Sequence, residues 1–513
     1  MKKKVISLLL AGAMVFGMCA CGNDNAASTN GSTPAQSESG SSESVGGDSE
    51  STAEASGNEG EAEEKTVEKP ASISWWTHDG LNEEDYVAEW DAAYEELTGI
   101  KLEHTPVSNN EYHTLLETAF ASGTEPNVFD LSSEQKLTYY ASQGGVADLT
   151  DLIRSSGIYD RVEQSVWDSL AIDGRIYGIP KEMPSGIVIH VRQDWLDRLG
   201  MKVPANYEEY LTMLRAFRDE IDECEIPLTV PGLHLAQNLP EFYWDAEADF
   251  VYKDGKWVDG MLEENFKDAM QRLQDAYAEG LIDVEAVTNS TSNCRDKWYS
   301  GNTGVFAYWA GKWTNTLTER LNENFPDAKV AAIDVIDESY YRYSAFNVLC
   351  IDGRLSDEEV EQVFTHFLNV IFDGEEGSAL LYAGAEGYHH ETDANGNMTY
   401  LNMNSSPDTQ FQSVYGSPWS AVVSFTEPEK FPQPVETITA SMEILEKNAV
   451  FKTNTPVSDT LNKVTADLSS TRQSIIAKIV MGEVSVEDGM QEYYNKAAEF
   501  NVEQILKEMN GES

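Results

Sequence analysis

The chain has 513 residues, with 35 Lys and Arg against 88 Asp and Glu, for a formal net charge of -53 at pH 7. That length supports a large core and more than one domain. The charge argues against binding nucleic acid or anionic lipid through a general basic face and serves solubility, although one local Arg pocket would still admit an anionic ligand.

The first residues, MKKKVISLLLAGAMVFGMCAC, place three lysines before a short apolar run. This is the pattern of a secretory signal, and the run is too short for a stable transmembrane helix. Ala20-Cys21-Gly22 resembles the bacterial lipobox, so residues 1–20 are expected to be removed and Cys21 lipidated, on the extracellular face of the cell membrane. An ordinary secretory signal cut nearby is the alternative. Residues 21–70 are Ser, Gly, Ala, Glu and Asn with almost nothing apolar. They cannot bury enough surface to offset their ordering entropy and are expected to form a flexible acidic tether. Cys224, Cys294 and Cys350 remain in the body; this sparse, odd set is no disulfide framework, and which pair, if any, is bridged stays open. Nothing has zinc-ligand spacing, so neither metal nor cofactor is expected.

Ser72 to Asp79 reads as a strand running into a polar loop, followed by a helix from Tyr86 to Leu97, a strand from Ile100 to Val107, a helix from Glu111 to Ala121 and a buried strand from Asn127 to Leu131. Strands alternating with helices imply a mostly parallel sheet whose ligands bind beyond the carboxyl ends of the strands. Trp75 or Trp76 must turn away from that rim, since strand neighbours alternate. Trp76 is preferred as the ligand-facing ring, with His78 and Asp79 beside it.

Asp173-Gly174 is a turn, and a short strand ends at Pro180. A loop then leads to a buried strand from Gly186 to Val191 and a helix capped by Asp194. Glu182 in that loop is either a hydroxyl acceptor or an exposed carboxylate. Arg192 either reaches a ligand carboxylate or closes a salt bridge with Asp194 or Glu182. A loop carrying Trp244 precedes a hairpin at Asp254-Gly255. Lys297 to Ala310 ends in a buried strand that delivers Trp309 and Trp313 to its exit. Another buried strand spans Ser344 to Ile351, and Asp357 to Phe372 is an amphipathic helix. Thr392 to Asn397 is a hairpin turn, not a calcium loop, because Asn404 stands where the closing Glu is needed. The chain beyond Val435 is mostly helical.

The segment from Asp173 to Pro204, with DGRIYGIP and WLDRLGMKVP, resembles the "DGKxYGxP … NxxWLxxLGxxxP" core of the family 1 extracellular solute-binding proteins, the substrate-capturing lipoproteins of sugar ABC transporters. ASGTEPNVFDLSSEQ is also similar to that family, with Asn127 where it usually has Asp. So are KWYSGNTGVFAYWA and the Tyr382 to His390 stretch, which resembles "YGxEGxHY". The resemblance spans roughly Ile73 to Met509. It implies an α/β, two-lobe class II-type periplasmic-binding-protein fold with a hinge and an inter-lobe cleft. The lobes are expected at 71–187 with 345–386 and at 188–344 with 387–513, with crossings near Pro184–Ile189, Tyr340–Ala345 and Glu386–Glu391. In relatives the last motif can face the ligand, which adds Glu386 and His389 as candidates. Many relatives carry a calcium loop after the position of Phe217. Arg218 to Ile226 has neither its acidic spacing nor its Gly, so calcium is not carried over.

No nucleophile elbow, Walker loop or HExxH motif occurs. The 11 Trp are the more telling feature. An indole face covers the apolar face of a sugar while polar neighbours satisfy its hydroxyls, although any one Trp also suits a core. With the resemblance, this implies a monomeric, non-enzymatic protein. It would capture a carbohydrate, an oligosaccharide, and deliver it to an ABC permease. A surface glycan-binding lipoprotein without a transporter, a binder of a non-sugar solute and a lipid-anchored glycosidase are the alternatives.

Overall fold

The computed structural model describes residues 66–78, 84–234, 239–240, 246–343, 347–401, 418–451 and 455–512, with the backbone alone at 78, 84–86 and 109–110. Cys21, the signal, nearly all of the tether, Asp79 and Trp244 lie outside the described residues. The body takes hold of the chain earlier than residue 70. Lys69 Nζ donates to the Thr98 carbonyl at 2.8 Å, and the His366 ring lies 3.2 Å from the Val67 carbonyl. The expected tether boundary is corrected accordingly.

Strands β1 (Ser72–His78), β2 (Lys101–Val107) and β3 (Val128–Leu131) run parallel, joined by the helices Glu84–Thr98 and Asn109–Ser122. After them come β4 (Ile179–Pro180), β5 (Ile187–Arg192) and β6 (Ile226–Thr229). Next are the hairpin of β7 (Phe250–Lys253) and β8 (Lys256–Asp259), then β9 (Thr303–Trp309), β10 (Val330–Ala332), β11 (Tyr341–Arg342) and β12 (Val348–Ile351). The hairpin of β13 (His390–Thr392) with β14 (Met398–Tyr400) and the short β15 (Ala449–Val450) complete the strands. Among the described residues the two larger sheets are ordered β2-β1-β3-β12-β4 and β10-β5-β9-β6, beside the two-stranded pairs β7-β8, β11-β15 and β13-β14. Every residue of β3, β5 and β12 is buried, which explains their largely apolar runs, broken only by Asp130 in β3 and by His190 and Arg192 in β5. Asp254 and Gly255 take φ of 52° and 83°, the positive pair that a two-residue hairpin turn requires.

Each of the two larger sheets has its own core. Trp75, Trp90, Phe129, Phe367 and Tyr382 pack together in the first lobe. Trp195, Phe217, Leu273, Ile476 and Tyr493 pack in the second. The chain passes from the first sheet to the second between Pro180 and Ile187, and returns between Tyr341 and Val348.

The third crossing differs from the expectation at Glu386–Glu391. Hairpin β13–β14 folds back on the first lobe, where the Tyr400 hydroxyl donates to the Tyr382 carbonyl at 2.7 Å. Val422 and Val423 belong to the first core, and Phe431 packs beside Tyr400. Leu445 belongs to the second core, so the crossing lies between Phe431 and the helix Glu436–Asn448. A polar hairpin looks like an excursion in sequence; only the apolar residues beyond it show which core it serves.

Two local expectations also change. Asp194 does not cap its helix: the cap position is Arg192, with no side-chain cap bond. The helix expected from Asp357 to Phe372 contains a π turn at Phe364–Leu368.

Candidate functional site

At the carboxyl end of β1 the two neighbouring tryptophans part. Trp75 is fully buried and stacks on the His104 ring at 4.5 Å, whereas Trp76 is half-buried. Beside them β1 and β3 pair over only two residues. The Tyr112 hydroxyl fills the gap, donating to the Trp76 carbonyl at 3.2 Å and accepting from the Asp130 N–H at 2.8 Å. Burial pushes the Tyr112 phenol well above its ordinary pKa, so it stays protonated for this role. At the end of β3, Ser132 Oγ lies 2.6 Å from His113 Nε2, and Ser133 caps the helix Glu134–Ser142. His113 escaped the sequence reading because its helix shows nothing but an ordinary polar face.

The exit of β4 is tightly bonded. Lys181 Nζ lies 2.9 Å from Asp130 Oδ2 in a buried pair. Glu182 is a half-buried carboxylate that accepts from the Ser420 hydroxyl at 2.6 Å. Its strand-like bridge to Ala421 secures the turn Pro418–Ser420, which carries the half-buried Trp419.

The second sheet presents a different surface where the chain enters it. Trp309 ends β9 directly opposite Ile187, the first residue of β5. Trp313 follows in the first turn of the helix Lys312–Asn324. Its ring meets Tyr308 edge-on at 5.2 Å, and the Arg295 guanidinium lies over it at 4.8 Å. Trp309 and Trp313 pack against one small core of Trp298, Phe306 and Leu317 and are both half-buried. Arg295 was not singled out from the sequence, because helix spacing alone does not bring it to Trp313. Five residues beyond β6, burial holds the pKa of His234 below its ordinary value.

Three expected ligand contacts read differently. Arg192 is buried, makes a bidentate pair with Asp194 at 2.8 and 2.7 Å, donates to the Gly301 carbonyl and lies over the Trp195 ring. It is engaged within its own lobe. His389 is buried, and its Nδ1 accepts from the Ala385 N–H at 2.8 Å, so it braces its own turn. Glu386 is exposed at the tip of that turn in the first lobe. The His78 side chain is outside the described atoms. The structure therefore groups Trp309 with Trp313 and places Trp76 on the other sheet, at the end where the chain crosses. Cys224, Cys294 and Cys350 are all free thiols. Among the described residues no group of three or more His, Cys, Asp or Glu is placed to hold a metal, and no helix is long and apolar enough to cross a membrane.

Two α/β lobes with separate cores, joined by crossing strands and carrying half-buried aromatic rings at the crossing ends of both sheets, define a two-lobe solute-binding protein. The chain belongs to the bacterial extracellular solute-binding protein family, whose profile matches residues 80–337. It is similar to the polygalacturonan/rhamnogalacturonan-binding protein YtcQ of Bacillus subtilis (strain 168), with 24% identity over 41% of this chain and 45% of that protein. It is also similar to the diacetylchitobiose binding protein DasA of Streptomyces coelicolor (strain ATCC BAA-471 / A3(2) / M145), with 25% identity over 51% of this chain and 53% of that one. The chain thus spans about half the length of the curated relatives it matches. In fold it resembles the alginate-binding protein AlgQ2 solved without calcium ion, with a TM-score of 0.66 and 19% identity over 86% of this chain and 98% of that one.

Proposed function

We propose that this protein captures a carbohydrate, an oligosaccharide, between its two lobes and delivers it to the permease of an ABC importer. The observation that carries this reading is the placement of half-buried indoles at the crossing ends of both sheets, Trp76 on one and Trp309 with Trp313 on the other. Each offers an apolar face for a pyranose ring, and His113 and Ser132 add hydrogen-bonding groups at the strand ends of the first sheet. Ligand affinity that differs between open and closed states would drive closure about the crossing strands. The similar proteins named for chitobiose and polygalacturonan binding support the substrate class.

In this reading the protein is a monomer anchored outside the cell by a lipid on Cys21, and it leaves its ligand chemically unchanged. Intrinsic tryptophan fluorescence of the full chain, titrated with a panel of neutral and uronate-containing oligosaccharides, tests it. A saturable shift with the sugar recovered intact is the expected result. A response confined to peptides or polyamines would overturn it.

A further inference from the structure

The protein carries 88 acidic side chains against 35 Lys and Arg, so a guanidinium here is surrounded by potential carboxylate partners. Arg192, Arg342 and Arg472 each hold one, at Asp194, Glu247 and Asp259. Arg295 does not. Its polar contact is the neutral hydroxyl of Ser292, 3.1 Å from one terminal nitrogen, and its guanidinium carbon lies over the Trp313 ring, 4.8 Å from the centroid. Among the described residues no carboxylate stands within ion-pair distance of it.

Its position matters as much as its lack of an acid. Trp313 opens the helix that follows β9, and β9 ends beside Ile187, where the chain enters the second lobe. Arg295 therefore stands at the end of the second sheet where its half-buried indoles are displayed. A guanidinium held over an indole by the cation–π attraction is restrained in position while N–H groups remain available, and its fork matches a carboxylate in bidentate geometry. The contact with the ring restrains the side chain before a ligand arrives, which reduces the entropy lost on binding. In a protein of net charge -53, a fixed local cation is also what an anionic ligand needs to approach this rim.

We propose that Arg295, held over Trp313, recognises the carboxylate of a uronate residue, so that the captured oligosaccharide is an acidic one. The sugar's C–H face would lie on Trp309 or Trp313 and its carboxylate on the Arg295 fork. This rests on the carbohydrate reading above and names its substrate class. It also moves carboxylate recognition from Arg192, which is spent on Asp194, to a residue about a hundred positions further along the chain.

The test is a fluorescence titration of the full-chain protein with tetragalacturonate, with its methyl ester, and with a neutral galacto-oligosaccharide of the same length. The Arg295→Gln and Arg295→Lys variants are titrated in parallel, with thermal melting as the folding control. The expected result is saturable binding of tetragalacturonate, with the methyl ester and the neutral sugar at least tenfold weaker. Arg295→Gln should lose about ten- to a hundredfold in affinity, the worth of a charge-assisted hydrogen-bond pair. Arg295→Lys, which keeps the charge but not the fork, should fall between. Equal binding of the acid and its ester, unchanged by Arg295→Gln, would overturn the assignment and leave the carbohydrate reading standing, as would binding of the neutral sugar alone. A response to none of the three sugars, together with one to peptides or polyamines, would overturn both.

Discussion

Lys181 Nζ and Asp130 Oδ2 lie 2.9 Å apart with both side chains almost wholly buried, joining the exit of β4 to the centre of β3. The same lysine anchors the crossing through its backbone. Its N–H donates to the Asn347 carbonyl at 3.2 Å, and its carbonyl accepts from the Tyr382 hydroxyl. Breaking a buried pair from one side leaves an uncompensated charge, which costs about 3–5 kcal/mol. Lys181→Met or Asp130→Asn should each lower the denaturant midpoint accordingly. The double variant Lys181→Met/Asp130→Leu should recover part of the loss, because neither charge is then stranded.

The adjacent tryptophans should respond in opposite ways. Trp75 is fully buried among Trp90, His104 and Phe367, so Trp75→Ala should cost about 3–5 kcal/mol of stability. Trp76 is half-buried at the strand end, and Trp76→Ala should cost less stability but weaken sugar binding. Chemical denaturation and fluorescence titration separate the two effects. Normal sugar affinity in Trp76→Ala would remove that residue from the site.

His190 sets a pH dependence. It is fully buried in β5, with Nε2 2.8 Å from Thr314 Oγ1, and burial lowers its pKa from 6.5 to about 4. Its neutral form is the one that folds. The contribution is therefore complete above pH 6.5, where folded and unfolded imidazoles are both neutral. It is lost as pH falls towards 4, because the unfolded chain binds the proton first. The loss amounts to about 3 kcal/mol across that window. His190→Gln should flatten this slope in urea melts between pH 7 and 4, and an unchanged slope would count against the burial argument.

Gly186 sits in the first crossing with no room for a side chain. A Cβ there would fall 2.3 Å from the Arg342 carbonyl oxygen and 2.7 Å from Leu445. The backbone contact cannot be relieved by a rotamer change, so Gly186→Ala must push the first two crossing strands apart, at about 1–3 kcal/mol. Small-angle scattering with and without sugar should show reduced ligand-induced compaction. Wild-type compaction in this variant would show that the close approach is not needed for closure.

Much of the fold was legible because its signals are local. The alternation of strands and helices before Ser142, the all-buried strands β3, β5 and β12, and the Asp254-Gly255 turn are written in periodicity and in the backbone freedom of single residues. Asp393 likewise marked a hairpin: its carboxylate accepts from the N–H groups of Asn395 and Asn397 at 2.7 and 2.9 Å, all within one turn. The site was legible only in part. Trp76 could be set apart from Trp75 because strand neighbours alternate, and the pairing of Arg192 with Asp194 is local, but what Arg295 meets is not a local property. Asp194 is two residues from Arg192, whereas Trp313 is far from Arg295 in sequence and meets it only through helix packing.

The amino-acid sequence by itself determined the class of elements, their order, the positions of the tight turns and the family, because these depend on apolar spacing and on motifs within short windows. The tertiary structure alone decided which core the β13–β14 hairpin serves, where the third crossing falls and that Arg295, among the described residues, lies over an indole with no carboxylate in ion-pair distance. Those outcomes depend on which distant surfaces are buried together, and burial between distant segments leaves no periodic trace in either one.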